Sequence, residues 1–425
     1  MPEQTTTRKP TQNGKWILLF LASLIVIGVV LVVAAPKRQV VSAHMRSFCS
    51  YGCVPVFSPD GAWIAFCGRD PQAPQTATSA GGSAPPSGPT DQLYVVPASG
   101  GTPTPCCAAE SLPAWIGDFT KADKPHHVSI LTSSPSGAQI RYYDPQDPTH
   151  AWGVIDLSGT VREMSSTVDC ASRSFVAESR GVLRVYYDTP RTGFKYIGRA
   201  DEMSRPVWSP DGRYLAWNYA RKISVYDRAA HKLTRIATPE GYPGFTISWH
   251  PTEPIFVNDM WSSDPTAATP PTSFAGGMPG VRSGSVANAK DCVGIAVYDA
   301  AKGRSAVLYD SGQGGVTLAP TWHPSGKFIA CVTQEDQPFL ISAKDPFSGQ
   351  NASRRRYDVR PVSPNEIYGH QYPGAGMWSV GATNICPPHL SWSPDGRLLA
   401  YGRDDCGIVT FELEVSEGTI EDLWK

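Results

Sequence analysis

The sequence lacks an excess of charge of either sign, because its 425 residues include 37 Lys and Arg against 38 Asp and Glu. Nucleic-acid binding depends on a basic surface that neutralises phosphates, and this balance gives no support for such a partner. A block of acidic residues, the mark of many disordered tails, is absent as well. The composition therefore predicts no nucleic-acid partner.

The sequence also lacks the motifs of common catalytic and metal sites. No Cys-x-x-Cys pair is followed by a second Cys or His pair at zinc spacing, and no haem-attachment motif occurs. The G-x-S-x-G turn that carries a hydrolase nucleophile is absent. His126 and His127 are adjacent, but neighbouring side chains on a strand point to opposite faces. His250 and His323 are interpreted as hydrogen-bonding turn residues, so we predict a non-enzyme without metal or cofactor.

Ten cysteines are more than an intracellular structural protein usually carries. Because no metal motif uses them, disulfide bonds formed in an oxidising compartment are the preferred interpretation.

Long apolar runs are absent except at residues 16–35, WILLFLASLIVIGVVLVVAA, which carry no charge. Twenty helical residues at about 1.5 Å each span the roughly 30 Å of a bilayer core, so this run predicts a transmembrane helix. The alternative is a cleaved signal peptide with a cleavage site at residues 41–43 (VSA). Basic residues flank both ends and orient the helix only weakly. The cysteines favour a cytoplasmic tail at residues 1–15, with the rest of the protein outside.

A short repeat organises the remaining chain, and its clearest copy is WSPDGRLLAYGRD at residues 392–404. An apolar strand leads into a Pro-Asp-Gly turn, and a second apolar strand follows it. Two further strands complete a four-stranded unit, which cannot bury its apolar face alone. Seven such units begin near residues 54, 112, 166, 206, 246, 318 and 389.

The SPDG turn at residues 58–61, 209–212 and 393–396 resembles the PD-motif, a WD-like β-propeller repeat of TolB-like proteins. HPSG at 323–326 and HPT at 250–252 are relaxed forms, and the units at 112 and 166 are placed by strand pattern alone. The resemblance implies an all-β fold, a seven-bladed β-propeller at residues 54–425, preceded by the transmembrane helix and a tether at residues 36–53. It does not imply a function, because propellers support many unrelated activities.

In the propeller topology the SPDG turns lie on one face, and the connections between second and third strands and between units lie on the other. Three inserts, at residues 68–91, 261–291 and 364–388, are expected on that second face, here called the insert face. The third insert contains residue types that are common at interfaces. Candidate partner-binding residues are Tyr368, His370, Tyr372, Met377, Trp378, Trp261, Arg69 and Arg403.

Plainer interpretations of these residues stay open. The first insert, rich in Pro, Gly and Ser, could be disordered padding. Arg69 and Arg403 each precede an Asp and could form local ion pairs worth about 0–1 kcal/mol.

Hairpin register suggests two disulfide bonds. Around the first turn, facing residues have numbers that sum to about 120, which places Cys53 opposite Cys67. Around the last turn the sum is near 790, which brings Cys386 close to Cys406. The other six cysteines, Cys49, Cys106, Cys107, Cys170, Cys292 and Cys331, are not assigned.

Together these features predict a single-pass membrane protein with an extracytoplasmic propeller, periplasmic or extracellular, that acts as a protein-binding scaffold or accessory subunit of a membrane complex. The alternatives are a propeller enzyme of the lactonase or hydrolase type, which needs acidic or His side chains at the channel mouth, and a carbohydrate- or peptide-binding sensor. The anchor is expected to join at the insert face and to hold that face near the bilayer. Ring closure has two solutions, an outer strand from residues 38–45 or a strand from residues 419–424 (TIEDLW).

Overall fold

The structure is a computed structural model, and its secondary structure is all β. It describes residues 39–49, 52–68, 92–108, 113–116, 127–134, 137–156, 163–164, 174–179, 182–187, 194–199, 204–219, 222–239, 242–261, 292–310, 317–333, 337–348, 356–361, 389–403 and 407–414. Within these residues no helix is long and apolar enough to cross a membrane. The predicted transmembrane helix at residues 16–35 lies outside them.

Twenty-eight strands are described, and they follow the predicted repeat. The chain begins with β1 (Gln39–Cys49). Unit one contains β2 (Cys53–Phe57), β3 (Trp63–Gly68), β4 (Gln92–Pro97) and β5 (Thr104–Ala108). Unit two contains β6 (Ala114–Ile116), β7 (His127–Ser134), β8 (Gly137–Asp144) and β9 (Asp147–Asp156). Unit three contains β10 (Glu163–Met164), β11 (Ser174–Ser179), β12 (Val182–Tyr187) and β13 (Phe194–Arg199).

The second half of the chain continues the same order. Unit four contains β14 (Ser204–Trp208), β15 (Tyr214–Tyr219), β16 (Lys222–Asp227) and β17 (Lys232–Ala237). Unit five contains β18 (Tyr242–Trp249), β19 (Ile255–Trp261), β20 (Cys292–Asp299) and β21 (Arg304–Asp310). Unit six contains β22 (Thr317–Trp322), β23 (Phe328–Thr333), β24 (Pro338–Ser342) and β25 (Arg356–Pro361). Unit seven contains β26 (His389–Trp392), β27 (Leu398–Arg403) and β28 (Gly407–Glu414).

Units one to five each form a four-stranded sheet whose strands neighbour one another in chain order. Units six and seven share an eight-stranded sheet with the order β22-β23-β24-β25-β1-β28-β27-β26. Adjacent strands are antiparallel wherever their register is described.

The first strand of the chain completes the last unit. β1 pairs antiparallel with β28, with Ser42 opposite Glu414 and Ser47 opposite Val409. The first of the two predicted closures, an outer strand from residues 38–45, is thus the one that the structure shows. Residues 39–49, assigned to the tether from sequence, belong to a sheet. The segment 419–424 lies outside the described residues.

The direction of β1 places the start of the described chain at the turn face, whereas the sequence led us to expect entry at the insert face. β27 follows the SPDG turn directly, and Leu398 at its start faces Glu412 of β28. Glu412 therefore lies at the turn face, and so does Ser42, which pairs with Glu414. β1 begins at the turn face and runs toward the insert face. The expectation followed from the position of β2, whose start lies at the insert face.

The hydrophobic core lies between consecutive sheets. The strand after each described PD-type turn is almost fully buried, as in β3, β23 and β27. One cluster joins units six and seven and includes Ala43, Phe328 and Trp392, and another joins units four and five through Trp249. A third joins unit seven to unit one, with Ile408 against Phe57. Trp208, Trp249, Trp322 and Trp392 are all buried, as expected for packing residues.

The strand ends that flank the three inserts lie at the expected face. Residues 69–91 connect β3 to β4, residues 262–291 connect β19 to β20, and residues 362–388 connect β25 to β26. Each of these connections joins strand ends that lie opposite the turns.

Candidate interaction faces

Each turn on the turn face is held by its own side chains. In unit four the Ser209 hydroxyl donates to Asp211 at 2.5 Å and accepts the Tyr214 amide at 2.8 Å. The Asp211 carboxylate accepts the Arg213 amide at 3.0 Å, and Gly212 has a φ of 66°. The turns beginning at Ser58 and Ser393 repeat these bonds. The S-P-D-G residues thus satisfy the backbone of their own turn.

In unit five a histidine replaces the serine and connects two units. His250 Nδ1 accepts the amides of Thr252 at 3.2 Å and Glu253 at 2.9 Å. An imidazole that accepts at Nδ1 carries its proton on Nε2, and this nitrogen donates to the carbonyl of Gly326 at 3.2 Å. The ring also meets Trp322 edge to face, with centroids 4.7 Å apart. Unit five is therefore bonded to the turn of unit six.

His323 makes the same connection from unit six to unit seven. Its Nδ1 accepts from the Ser325 hydroxyl at 2.7 Å and from the Ser325 amide at 3.1 Å. Its Nε2 donates to the Gly396 carbonyl at 3.1 Å, and its ring packs edge-on against Trp392 at 4.6 Å. Both histidines are turn residues, as the sequence predicted. The sequence did not lead us to expect their hydrogen bonds to the next unit. The sequence pattern that could have indicated these bonds is a His at the first turn position of one repeat with a turn Gly in the next repeat.

The two glycines whose carbonyls accept these bonds, Gly326 and Gly396, have a positive φ and leave no room for a side chain. Gly326 and Gly396 both have a φ of 73°. A Cβ at Gly326 would lie 2.3 Å from His250 Nε2, and one at Gly396 would lie 2.4 Å from His323 Nε2. Only glycine fits both demands.

Charges on the turn face are largely paired with one another. Arg213 lies 3.0 Å from Asp227, and Arg397 lies 2.9 Å from Glu412. Burial raises the pKa of Asp395, but hydrogen bonds from the Ser393 hydroxyl and the Arg397 amide outweigh it and lower that pKa. Burial lowers the pKa of His250. Two arginines of the turn face are therefore held in ion pairs with neighbouring carboxylates.

A groove of about 570 Å³ lies at the turn face where units seven and one meet. β1 contributes His44 and Arg46, whose guanidinium donates to the Ser99 carbonyl at 2.5 Å. The turn of unit seven contributes Asp395 and Arg397. Side chains of both charge signs line this groove.

A buried polar network lies between units four and five, and sequence reasoning missed it. The Asn218 amide donates to the Gly244 carbonyl, and the amide N–H of Gly244 donates to Asn258 at 2.9 Å. Asp259 accepts the amide of Thr246 at 2.8 Å. The register shift in β18 leaves these backbone groups unpaired within the sheet, and the side chains satisfy them. Asn258 and Asp259, polar residues in an otherwise apolar second strand, are the sequence signal.

Among the described residues no group of three or more His, Cys, Asp or Glu side chains is arranged to hold a metal ion.

Only part of the predicted cysteine pairing can be located. Cys53 and Cys67 are direct partners in the register of β2 and β3, after a register shift that moves the pairing by one residue. The disulfide itself stays a prediction. Cys386 and Cys406 lie outside the described residues.

Two unassigned cysteines lie side by side on β5, against unit two. Burial raises the pKa of Cys106, and the neighbouring Cys107 adds to the effect. Burial also raises the pKa of Cys107, which bonds to Tyr143. Raised pKa values disfavour the thiolate, so neither is suited to be a nucleophile.

Most of the predicted partner-binding residues lie outside the described residues. Tyr368, His370, Tyr372, Met377, Trp378 and Arg69 lie outside the described residues. Trp261 ends β19 opposite Cys292, and Arg403 ends β27 opposite Gly407. These two backbone positions lie at strand ends opposite the turns, and partner binding by either residue stays a prediction.

Comparison with solved structures identifies the fold. The chain superimposes on the crystal structure of the RRP9 WD40 repeats with a TM-score of 0.54 at 10% identity, covering 89% of this chain and 100% of that one. It matches a chain of the mitotic checkpoint complex with a TM-score of 0.50 at 14% identity, covering 89% and 93%. The fold is a WD-like β-propeller.

At these identities the similarity extends to the propeller's architecture and not to its activity. No protein-family model matches the sequence, and no curated protein matches it either. The function must therefore be argued from the two faces of the propeller.

Proposed function

We propose that this protein is a non-enzymatic scaffold that binds a protein partner through the insert face of a seven-bladed, TolB-like propeller. The observation that carries the proposal is the placement of the inserts. All three leave from the face opposite the turns, in units five, six to seven, and one. These units are contiguous in the ring because β2 of unit one contacts β26 of unit seven.

The turn face carries short turns and no long insert among the described connections, which supports the insert face as the binding surface. Its turns are short, satisfied by their own side chains and bonded from unit to unit through His250 and His323. Long loops on a rigid scaffold are where binding residues usually lie. The insert at residues 364–388 carries the aromatic residues and the histidine that favour a protein contact.

We further propose that residues 16–35 anchor the protein in a membrane and that the propeller lies on the extracytoplasmic side. The support is the uncharged apolar run and the number of cysteines. The partner would then be another membrane protein or a subunit of a membrane complex.

The test is partner capture from mild detergent with two matched deletions. In one variant residues 364–388 are replaced by a short Gly-Ser linker, and in the other residues 69–91 are replaced in the same way. We expect the first replacement to abolish co-purification of the partner and the second to preserve it. A full chain that purifies alone, or equal capture by both variants, would contradict the scaffold proposal.

A further inference from the structure

We propose that Cys106 and Cys107, the adjacent cysteines of β5, form a binding site for a soft univalent metal cation, with Cu(I) as the ion that fits the site best. The site lies between units one and two. It goes beyond the scaffold function and depends on none of its steps. No sequence motif indicates it, because an irregularity of the strand is what brings the two thiols to one face.

A bulge in β5 turns both thiols to the same side. In a regular strand neighbouring side chains point to opposite faces. Leu93 of β4 faces Cys107. The next residue, Tyr94, faces Pro105, which leaves Cys106 as an extra residue in the pairing of β4 with β5. Both cysteines accordingly pack against the one apolar cluster between units one and two. The bulge therefore creates a pair of thiols able to bind the same ion.

The geometry of unit one disfavours a disulfide bond for either thiol. Neighbouring Cα atoms lie about 3.8 Å apart, closer than the roughly 4.4–6.8 Å that disulfides usually span. Cys67 faces Leu93, which in turn faces Cys107, so two strand spacings of about 4.8 Å separate the two cysteines. Cys53 lies one strand farther away. Cys106 and Cys107 are both thiols in the structure, and the pair is left as a dithiol.

Unit two places a positive charge beside the two thiols. Tyr143 of β8 hydrogen-bonds to Cys107 and to Arg141. Arg141 lies two residues away on the same face of β8 and interacts electrostatically with Cys107. Among the described residues the Nε–H of Arg141 is buried and has no hydrogen-bond partner. A buried donor without an acceptor is costly, so this side of the site favours a negative charge that neutral thiols do not supply.

The number of ligands and their charge select the ion. Structural zinc and iron–sulfur sites take four protein ligands, whereas among the described residues no group of three or more His, Cys, Asp or Glu is arranged for a metal. Cu(I) is soft, prefers thiolates and is satisfied by two of them. One Cu⁺ displaces two thiol protons and leaves a bis-thiolate complex with a single negative charge, which balances the guanidinium of Arg141. A divalent ion would give a neutral complex and leave Arg141 uncompensated.

Metal retention and coordination of the full chain test the proposal. The chain is purified in mild detergent with a reductant, loaded anaerobically with Cu(I) as its acetonitrile complex, and challenged with the Cu(I) chelator bicinchoninate. We expect one tightly held Cu(I) that is lost in Cys106→Ala and in Cys107→Ala. The control, Cys331→Ala, removes a buried cysteine of unit six and should retain it. X-ray absorption at the copper edge of the wild type should show two sulfur neighbours.

Three outcomes of these measurements would overturn the site. They are complete loss of Cu(I) from the wild type to the chelator, three or more sulfur neighbours, and equal retention by the wild type and the variants of β5. The absorption spectrum needs no variant, so a variant that fails to fold does not block the test. Alkylation of the unreduced, denatured chain should modify Cys106 and Cys107, and a disulfide bond at either residue would contradict the dithiol.

The role of charge is tested separately. Arg141→Gln should bind Cu(I) about 10- to 100-fold more weakly, as is usual when an outer partner of a metal site is lost. Arg141→Lys keeps the positive charge and should recover most of that affinity, whereas a merely structural role of Arg141 would not separate the two variants. Ag⁺ should displace Cu(I) one for one, and displacement by Zn²⁺ would contradict a univalent site. None of these readouts involves the protein partner, so failure here is distinct from failure of the scaffold proposal.

Discussion

A histidine at the first turn position does more than the serine that it replaces. The hydroxyl of Ser209 satisfies backbone groups of its own turn, whereas the imidazole of His250 satisfies its own turn through Nδ1 and reaches the next unit through Nε2. Because the imidazole lies so close to the next turn, the residue whose carbonyl accepts its bond, Gly326, must be a glycine. Units five to seven are therefore connected at the turn face by two such bonds.

The Gly326→Ala variant tests whether the close approach of His250 excludes a side chain at this position. Its Cβ would meet His250 Nε2 at 2.3 Å in addition to the strain of a φ of 73°. The matched control is Gly303→Ala, with a φ of 65° and its nearest neighbour at 3.6 Å. We expect the control to lose about 1–2 kcal/mol of unfolding free energy from backbone strain alone. Gly326→Ala should lose roughly 1–2 kcal/mol more, because the imidazole must move and give up its bond.

Urea unfolding of the full chain measures both losses. Adding His250→Ser to Gly326→Ala should recover part of the extra loss, since the shorter side chain leaves room for the methyl group. Equal destabilisation by the two alanine variants would contradict the close approach.

His250 also makes stability depend on pH. Burial lowers its pKa in the folded protein below the unfolded value of about 6.5. The unfolded state then binds more protons below that value, so stability is complete above it and falls as pH decreases. Protonation at Nδ1 would also break the two turn bonds to Thr252 and Glu253.

Thermal unfolding between pH 8 and pH 5 measures this effect. We expect the melting temperature of His250→Ser to decrease less steeply below pH 6.5 than that of the wild type. His44→Ser, which removes an exposed imidazole, is the control for the loss of a histidine. An unchanged slope in His250→Ser would show that this residue does not govern the dependence.

β1, the first described strand of the chain, completes unit seven, the last unit. β1 and β28 are separated by nearly the whole chain, so their pairing converts a row of units into a closed body. Consecutive units are joined by local connections, whereas unit seven is joined to unit one by the direct run of β1 into β2 and by the packing of Ile408 with Phe57.

Ala43→Lys tests this closure. The change places an ammonium in the cluster between units six and seven, where Ala43 is completely buried. An uncompensated buried charge costs about 3–5 kcal/mol, and we expect a loss of that size together with proteolytic release of β1. His44→Lys, one residue away and exposed, should be nearly neutral. Similar protease sensitivity in both variants would contradict the burial of β1.

For the molecule as a whole, closure predicts an uneven pattern of hydrogen exchange. β17 is an outer strand with four of its six residues exposed, and only β16 pairs with it. β1 is also an outer strand of its unit, but both its neighbours, β25 and β28, pair with it. Amides exchange through local opening, so a strand paired on both sides should be better protected than an edge strand.

Exchange followed by mass spectrometry on the full chain checks this pattern. We expect the amides of β23 and β27 to exchange most slowly, those of β17 to exchange fastest, and β1 to lie between them. If β1 exchanged as fast as β17, the shared sheet of units six and seven would be wrong.

Much of the fold follows from short-range pattern. Alternating apolar runs, Pro-Asp-Gly turns and their repetition predict four-stranded units, because each element satisfies its own backbone locally. The face that carries the inserts follows too, since strand order places every second connection at the same end. The pairing of Cys53 with Cys67 was predicted from hairpin arithmetic, and the register shift in β2 is what makes it hold.

The remaining features depend on contacts between residues far apart in the chain. The sequence alone determined an all-β repeat, its turns and the side of its inserts, because those depend on neighbours a few residues away. Only the tertiary structure decided that β1 completes unit seven and starts at the turn face, that His250 and His323 bond the next turn, and that Asn218 and Asp259 support β18. In each case a strand edge or a buried polar atom needs a partner, and which distant segment supplies it depends on how the units pack.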